Sequence, residues 1–164
     1  LLDATRALAQ TLDSTHAETH GNNVAQWCED RVPVVYASTR NEAIAYIWKI
    51  KFNETGKIPA FCNVVPELNH NEMVGFTNPQ AEFIILMLRD PKAHPQILKR
   101  FDVTAELLRQ RGIAVEVIDM QGGSVYNKVF MSIALGDFAS YYLALEYGQD
   151  PTPVDMVEDL KKLL

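Results

Sequence analysis

The strongest constraint on this chain is a repeated unit: a short apolar run, a polar turn, then a helical pattern. The first run, Pro33-Val34-Val35-Tyr36-Ala37, is apolar with no alternation. A strand with one wet face alternates, whereas a strand covered on both faces does not. Ser38-Thr39-Arg40-Asn41 closes the run with helix-capping residues. Glu42 then opens a helix that carries Ala43, Ile44, Ile47, Trp48 and Phe52 inward and stops at Gly56. Further strands are predicted over Ile58 to Val65, Glu82 to Leu88 and Ala114 to Met120. Helices are predicted from Gln96 to Arg111, with Gly112 as cap, and from Val125 to Tyr147. Pro151-Thr152-Pro153 leads into a last short helix. Strands alternating with helices give an α/β fold with a parallel sheet and helices on both faces.

At the start, Leu1, Thr5, Leu8 and Leu12 recur at helical spacing. Gly21-Asn22-Asn23 is expected to break that helix, and a second short one carries Val24, Trp27 and Cys28. The chain begins mid-helix without Met, so it is expected to be a piece of a longer protein. The helix from Val125 to Tyr147 is apolar nearly all round, from Val125, Val129 and Phe130 to Tyr141 and Leu145. Such a helix is expected to be covered by another domain or a second subunit.

Composition narrows function more than fold. The chain has 164 residues, 48% of them hydrophobic and 22% charged, which excludes disorder as its main state. A net charge of −6 argues against general nucleic-acid binding. The longest apolar stretch, Phe83 to Leu88, is far too short to span a bilayer. Cys28 and Cys62 form no CxxC pair, so two free thiols in a cytoplasmic protein are expected. Cys62 is expected in the core. His16 and His20 share a helix face by their spacing, and plain solvated histidines are the favoured reading over a metal pair.

In open α/β sheets, ligands sit beyond the carboxyl ends of the strands. The candidate loops are therefore 38–41, 65–72, 89–94 and 120–124. Residues 66–76, Pro-Glu-Leu-Asn-His-Asn-Glu-Met-Val-Gly-Phe, gather carboxylates, amides and one imidazole directly after a strand. His70 can move protons near neutral pH. The competing reading is a helix start, with Asn69 or Asn71 as cap and Glu72 in the first turn. Glu54 ends a helix, where a carboxylate opposes the negative end of the dipole. Such local inconsistency is where functional residues are expected, although on the residues alone a solvated turn Glu is the favoured reading. Ser38, Thr39 and Arg40 can hydrogen-bond a sugar or phosphate. Gly122-Gly123-Ser124 is a weak amide nest or simply a turn with a Ser cap. The sequence contains neither GxGxxG nor GxxxxGK[ST], and a GxSxG elbow is also missing.

One block is specific. Asn53-Glu54-x-x-Lys57-Ile58-Pro59-Ala60 followed by Phe61-x-Asn63-Val64-x-Pro66-Glu67-Leu68-Asn69-His70-Asn71-Glu72-x-Val74-Gly75-Phe76 resembles the second sugar-isomerase (SIS) domain of the bifunctional phosphoglucose/phosphomannose isomerases. Pro33 to Ser38 and Asp150-Pro151-Thr152-Pro153-Val154 resemble it more weakly. The resemblance divides the chain into a leading helix or linker, 1–23, from a missing upstream domain, and a C-terminal SIS domain, 24–164.

The resemblance implies a three-layer αβα sandwich on a five-stranded, flavodoxin-like parallel sheet, in a two-domain protein that works as a homodimer. It implies interconversion of fructose 6-phosphate with glucose 6-phosphate and mannose 6-phosphate, without metal or organic cofactor. By the same resemblance Glu54 is the base, His70 opens the sugar ring from across the dimer, and a lysine near the carboxyl terminus approaches the sugar. Lys161 is preferred to Lys162 for that last role. Ser38, Thr39, Arg40 and Asn69 are the candidate substrate contacts. The family's phosphate-binding residues lie in the first SIS domain, so this chain alone is expected to fold but isomerise poorly. If it turned over fully, Ser38, Thr39 and Ser124 would be the suspected phosphate ligands. The alternative is a non-catalytic SIS module that binds a phosphosugar and regulates a partner; retention of Glu54 and His70 argues against it. An amide-transferring SIS enzyme finds no support in the sequence.

Overall fold

A computed structural model describes residue 6 and residues 9–164. Helix α1 (Ser14–Cys28) comes first and starts at Asp13, whose Oδ1 accepts the His16 N–H at 2.9 Å. The units that follow are β1 (Val32–Ser38), α2 (Glu42–Glu54), β2 (Phe61–Val65) and the short α3 (Glu72–Gly75). Then come β3 (Phe83–Arg89), α4 (Pro95–Arg109), β4 (Ala114–Asp119), α5 (Val125–Glu146) and α6 (Asp155–Leu163). Every strand pair is parallel, in the order β2-β1-β3-β4.

The alternation along the strands builds two cores, one on each face. Val35, Ala37, Ile84, Leu86 and Leu88 pack under α1, α2 and α5, against Val24, Trp48, Phe52, Leu135 and Leu143. Val34, Tyr36, Ile85, Met87 and Val115 face the other way, onto Leu68, Phe101, Ala105 and Leu108. The result is the expected three-layer sandwich, with four strands among the described residues where the resemblance implied five.

Three expectations are corrected. Gly21 does not break a helix: α1 runs through it. A Cβ at Gly21 would lie 2.5 Å from the Phe138 Cβ and 3.0 Å from the Leu135 carbonyl, so the glycine serves the close approach of α1 to α5. The boundary placed after residue 23 lies within α1, and Leu1, Thr5 and Leu8 of the expected opening helix lie outside the described residues.

Cys62 is not core. It lies half-exposed on β2, an edge strand, whereas Cys28 is buried and its thiol is pushed up to about 12 by desolvation. The strand also begins later than Ile58, because the Ile58 N–H still bonds the Phe52 carbonyl, at 3.2 Å, in the turn leaving α2.

Helix α5 is only half-covered. Met131, Leu135, Ala139 and Leu143 are buried under α1 and α2, while Val125, Tyr126, Phe130, Tyr141 and Leu145 remain exposed. A buried indole fixes its register: Trp48 Nε1 donates to the Ser132 carbonyl at 2.8 Å, over Gly136.

Candidate functional site

Parallel strands sort the candidate residues by end. Strand β1 and strand β2 both run toward Ser38 and Val65, so the turns after them share the carboxyl end of the sheet. Ser38 ends β1, and Thr39, Arg40, Asn69 and His70 lie in those turns. Helix α2 must run back across the sheet to reach the start of β2, and Glu54 is its last residue. Glu54 therefore sits at the amino end. Within one chain the two principal candidates are separated by the length of β2, roughly 17 Å.

At the carboxyl end, Thr39 Oγ1 donates to the Val65 carbonyl at 3.1 Å, locking the two turns together. His70 closes the 3-10 turn Glu67–Asn69 through its N–H to the Glu67 carbonyl, 2.9 Å, and leaves its imidazole exposed. The Asn69 amide is used within the fold: it donates to Thr104 Oγ1 at 2.9 Å and to Met73 Sδ at 3.1 Å. Neither Asn69 nor Asn71 caps α3; Asn71 occupies the cap position but donates instead to Glu67 Oε1 at 3.0 Å.

Glu72 is in the first turn of α3, and its role extends beyond that position. Its carboxylate accepts from the buried Tyr36 hydroxyl at 2.8 Å and from the Asn63 amide. Burial first, then the Glu72 charge and hydrogen bond, push the Tyr36 phenol above its ordinary range and keep it neutral. Tyr36 and Asn63 are register partners on β1 and β2, so this network staples α3 and the His70 turn to the sheet. The sequence signal was present in Asn63 and Glu72, both inside the specific block; the buried Tyr36 partner was not foreseeable from spacing.

Another unforeseen feature at this end is a buried ion pair. Lys128 Nζ lies 2.6 Å from Asp90 Oδ2, and each side chain is 11% exposed. It ties the turn after β3 to the first turn of α5. Ser124 caps that helix, with its Oγ accepting the Asn127 N–H at 3.1 Å.

The amino end is organised around Glu54. The Glu54 side chain is exposed, and its carboxylate takes no hydrogen bond or ion pair among the described residues. The turn beneath it is fixed from both sides. Asn53 Nδ2 donates to the Ile58 carbonyl at 2.9 Å, and Lys57 Nζ to the Glu54 carbonyl at 2.6 Å. Lys57 Nζ also donates to the Pro153 carbonyl, two residues before α6 begins. The structure thus brings the Glu54 turn together with the root of α6, which carries Lys161 and Lys162. Both lysines are exposed and paired on their own helix, Lys161 with Glu158 at 2.7 Å and Lys162 with Asp159 at 2.9 Å.

His16 and His20 do share a helix face, with ring centroids 4.2 Å apart. Among the described residues no three His, Cys, Asp or Glu side chains gather as a metal site. No helix there is long and apolar enough to cross a membrane.

Comparison with known proteins places this geometry in a family. Residues 17–164 match the model of the bacterial phospho-glucose isomerase C-terminal SIS domain. The bifunctional phosphoglucose/phosphomannose isomerase of Aquifex aeolicus is 33% identical over 100% of this chain and 51% of its own length. The protein of the same name from Caldicellulosiruptor bescii is 40% identical over 82% of this chain and 41% of its own length. This chain therefore spans about half the length of these curated relatives. A glucose-6-phosphate isomerase-like protein from Thermus thermophilus shares the fold, with a TM-score of 0.70 at 19% identity, covering 88% of this chain and 47% of that one. The C-terminal domain of a Francisella tularensis glucosamine-fructose-6-phosphate aminotransferase shares it at a TM-score of 0.65 and 18% identity, covering 92% of this chain and 45% of that one. The specific block from Asn53 to Phe76, the three-layer fold and the match over 17–164 agree: the chain belongs to the bacterial phospho-glucose isomerase C-terminal SIS domain family.

Proposed function

We propose that this domain forms part of a cytoplasmic aldose–ketose isomerase that interconverts fructose 6-phosphate with glucose 6-phosphate and mannose 6-phosphate. The observation that carries the reading is the similarity of the whole chain to a relative named as a bifunctional phosphoglucose/phosphomannose isomerase. The state of Glu54 suits the chemistry. A base that takes the C2 proton must be ionised and reachable, and the Glu54 carboxylate is exposed on a turn whose backbone is pinned. It would carry the proton between C2 and C1 along one face of a cis-enediolate. Lys161 would stabilise the negative charge on the enediolate oxygens. His70 would move protons between the ring oxygen and O1 to open the sugar.

In this reading His70 comes from a second copy, which the separation of His70 from Glu54 along β2 within one chain supports. Ser38, Thr39, Arg40 and Asn69 would accompany it on that copy's contribution to the pocket. An upstream SIS domain would supply the main phosphate grip, which in such enzymes is a large share of the binding energy.

The test is hexose-phosphate interconversion by the full natural chain beside its Glu54→Gln variant. The variant is expected to lose at least about 1,000-fold in kcat, since a positioned base contributes about that much. Equal activity in both proteins would remove Glu54 from the mechanism, and no activity in either would favour the phosphosugar-binding module instead.

A further inference from the structure

We propose that Lys57 is a positioning residue, the tether that holds Glu54 and the root of α6 as one unit. The proposal rests on the isomerase reading above and adds a residue to it. Three observations carry it.

The first is conformational. Lys57 adopts φ +59°, in the left-handed region that non-glycine residues seldom enter. A glycine or asparagine would occupy this position with less strain, so the side chain must justify a lysine there. The second is what that side chain does. Its ammonium folds back onto the Glu54 carbonyl, 2.6 Å away, at the carboxyl end of α2, where a cation complements the dipole that Glu54 opposes. The same ammonium also donates to the carbonyl of Pro153, 96 residues distant in the chain. One donor group thus bridges the base's own backbone and the segment that leads into α6.

The third is the build of that segment. Asp150 Oδ1 accepts the Thr152 N–H at 2.8 Å, and Pro151 and Pro153 stiffen what lies between. The Thr152 hydrogen bonds, with a smaller contribution from the Lys57 charge, hold the Asp150 carboxyl below its usual range. The segment is stiffened by its prolines where the ammonium meets the Pro153 carbonyl. Beyond it every residue of α6 is exposed, so the helix has no buried face among the described residues to fix its direction. The tether therefore sets where α6 starts relative to Glu54.

The test compares Lys57→Met, Lys57→Gly and Lys57→Arg in the full natural chain. The glycine variant keeps the left-handed turn without any side chain, and the Met variant keeps an apolar chain of similar length without the ammonium. Both Met and Gly variants are expected to lose about 10- to 100-fold in kcat, the scale of an ångström-level misplacement, with KM changed far less. Arg is expected to recover part of the loss. Amide exchange at 151–164 should rise in the Met and Gly variants and stay low in the Arg variant, while cooperative unfolding of the sheet stays unchanged. Wild-type exchange at 151–164 in Lys57→Gly would overturn the tether. Raised exchange with undiminished kcat would overturn its positioning role. Glu54→Gln, run in parallel, tests the base separately: it leaves the ammonium and both carbonyls in place. Full activity in that variant would refute the isomerase base without touching the exchange result.

Discussion

At the scale of single residues, Asp90 and Lys128 form a close ion pair that is largely shielded from solvent. Burial alone would raise the Asp90 pKa. Hydrogen bonds from Lys128 and the Lys92 N–H, with the charges of Lys128 and Arg40, overcome it and leave the group below its ordinary 3.8. A carboxylate depressed in the folded state contributes stability that is present in full above its unfolded value and is lost as pH falls through the folded one. The unfolding free energy of wild type minus that of Asp90→Asn should therefore be constant above about pH 5 and shrink below pH 3.8. Urea titrations across that range check it; a difference that stays flat down to pH 2 would refute the coupling. Lys128→Met, which strands a buried carboxylate, should cost roughly 3 kcal/mol at neutral pH.

At the scale of elements, the α1–α5 contact depends on a residue that reads in sequence as a breaker. Gly21 has ordinary helical neighbours, but its missing side chain is the space that Phe138 and the backbone of α5 occupy. Gly21→Ala should therefore destabilise the fold by about 1–3 kcal/mol, although alanine is the better helix former. Chemical denaturation measures it, and a stabilised variant would show that the helices can part without cost. The same case explains what the sequence made legible. The four strands and the helices between them follow from local patterning, which acts over a few residues, and the Val35/Val34 alternation of faces completes the two cores. The continuity of α1 through Gly21 and the half-exposed Cys62 did not follow, because each depends on which element lies alongside. An edge strand and a central strand differ in their neighbours, not in their letters.

At the scale of the whole molecule, the candidate site is split by the direction of the chain. Glu54 and His70 are 16 residues apart in sequence. One helix end and one intervening strand nonetheless place them at opposite ends of β2. The motif made both residues visible; the parallel register of β1 and β2 sets them a strand's length apart within one copy. A shared site then requires two copies, each giving its Glu54 to one pocket and its His70 to the other. That arrangement predicts complementation. Glu54→Gln homodimers and His70→Ala homodimers of the full natural chain should each be nearly inactive. Mixed, unfolded and refolded together in equal amounts, they should form heterodimers as half of all dimers. One pocket of each heterodimer then holds both defects and the other holds none. The mixture should recover about a quarter of wild-type activity, from one sound pocket in half the dimers. The recovery should follow the heterodimer fraction when the mixing ratio is varied. A mixture no more active than the sum of its parents would mean that Glu54 and His70 serve the same chain's pocket or that one of them serves none, and the cross-copy site would fall.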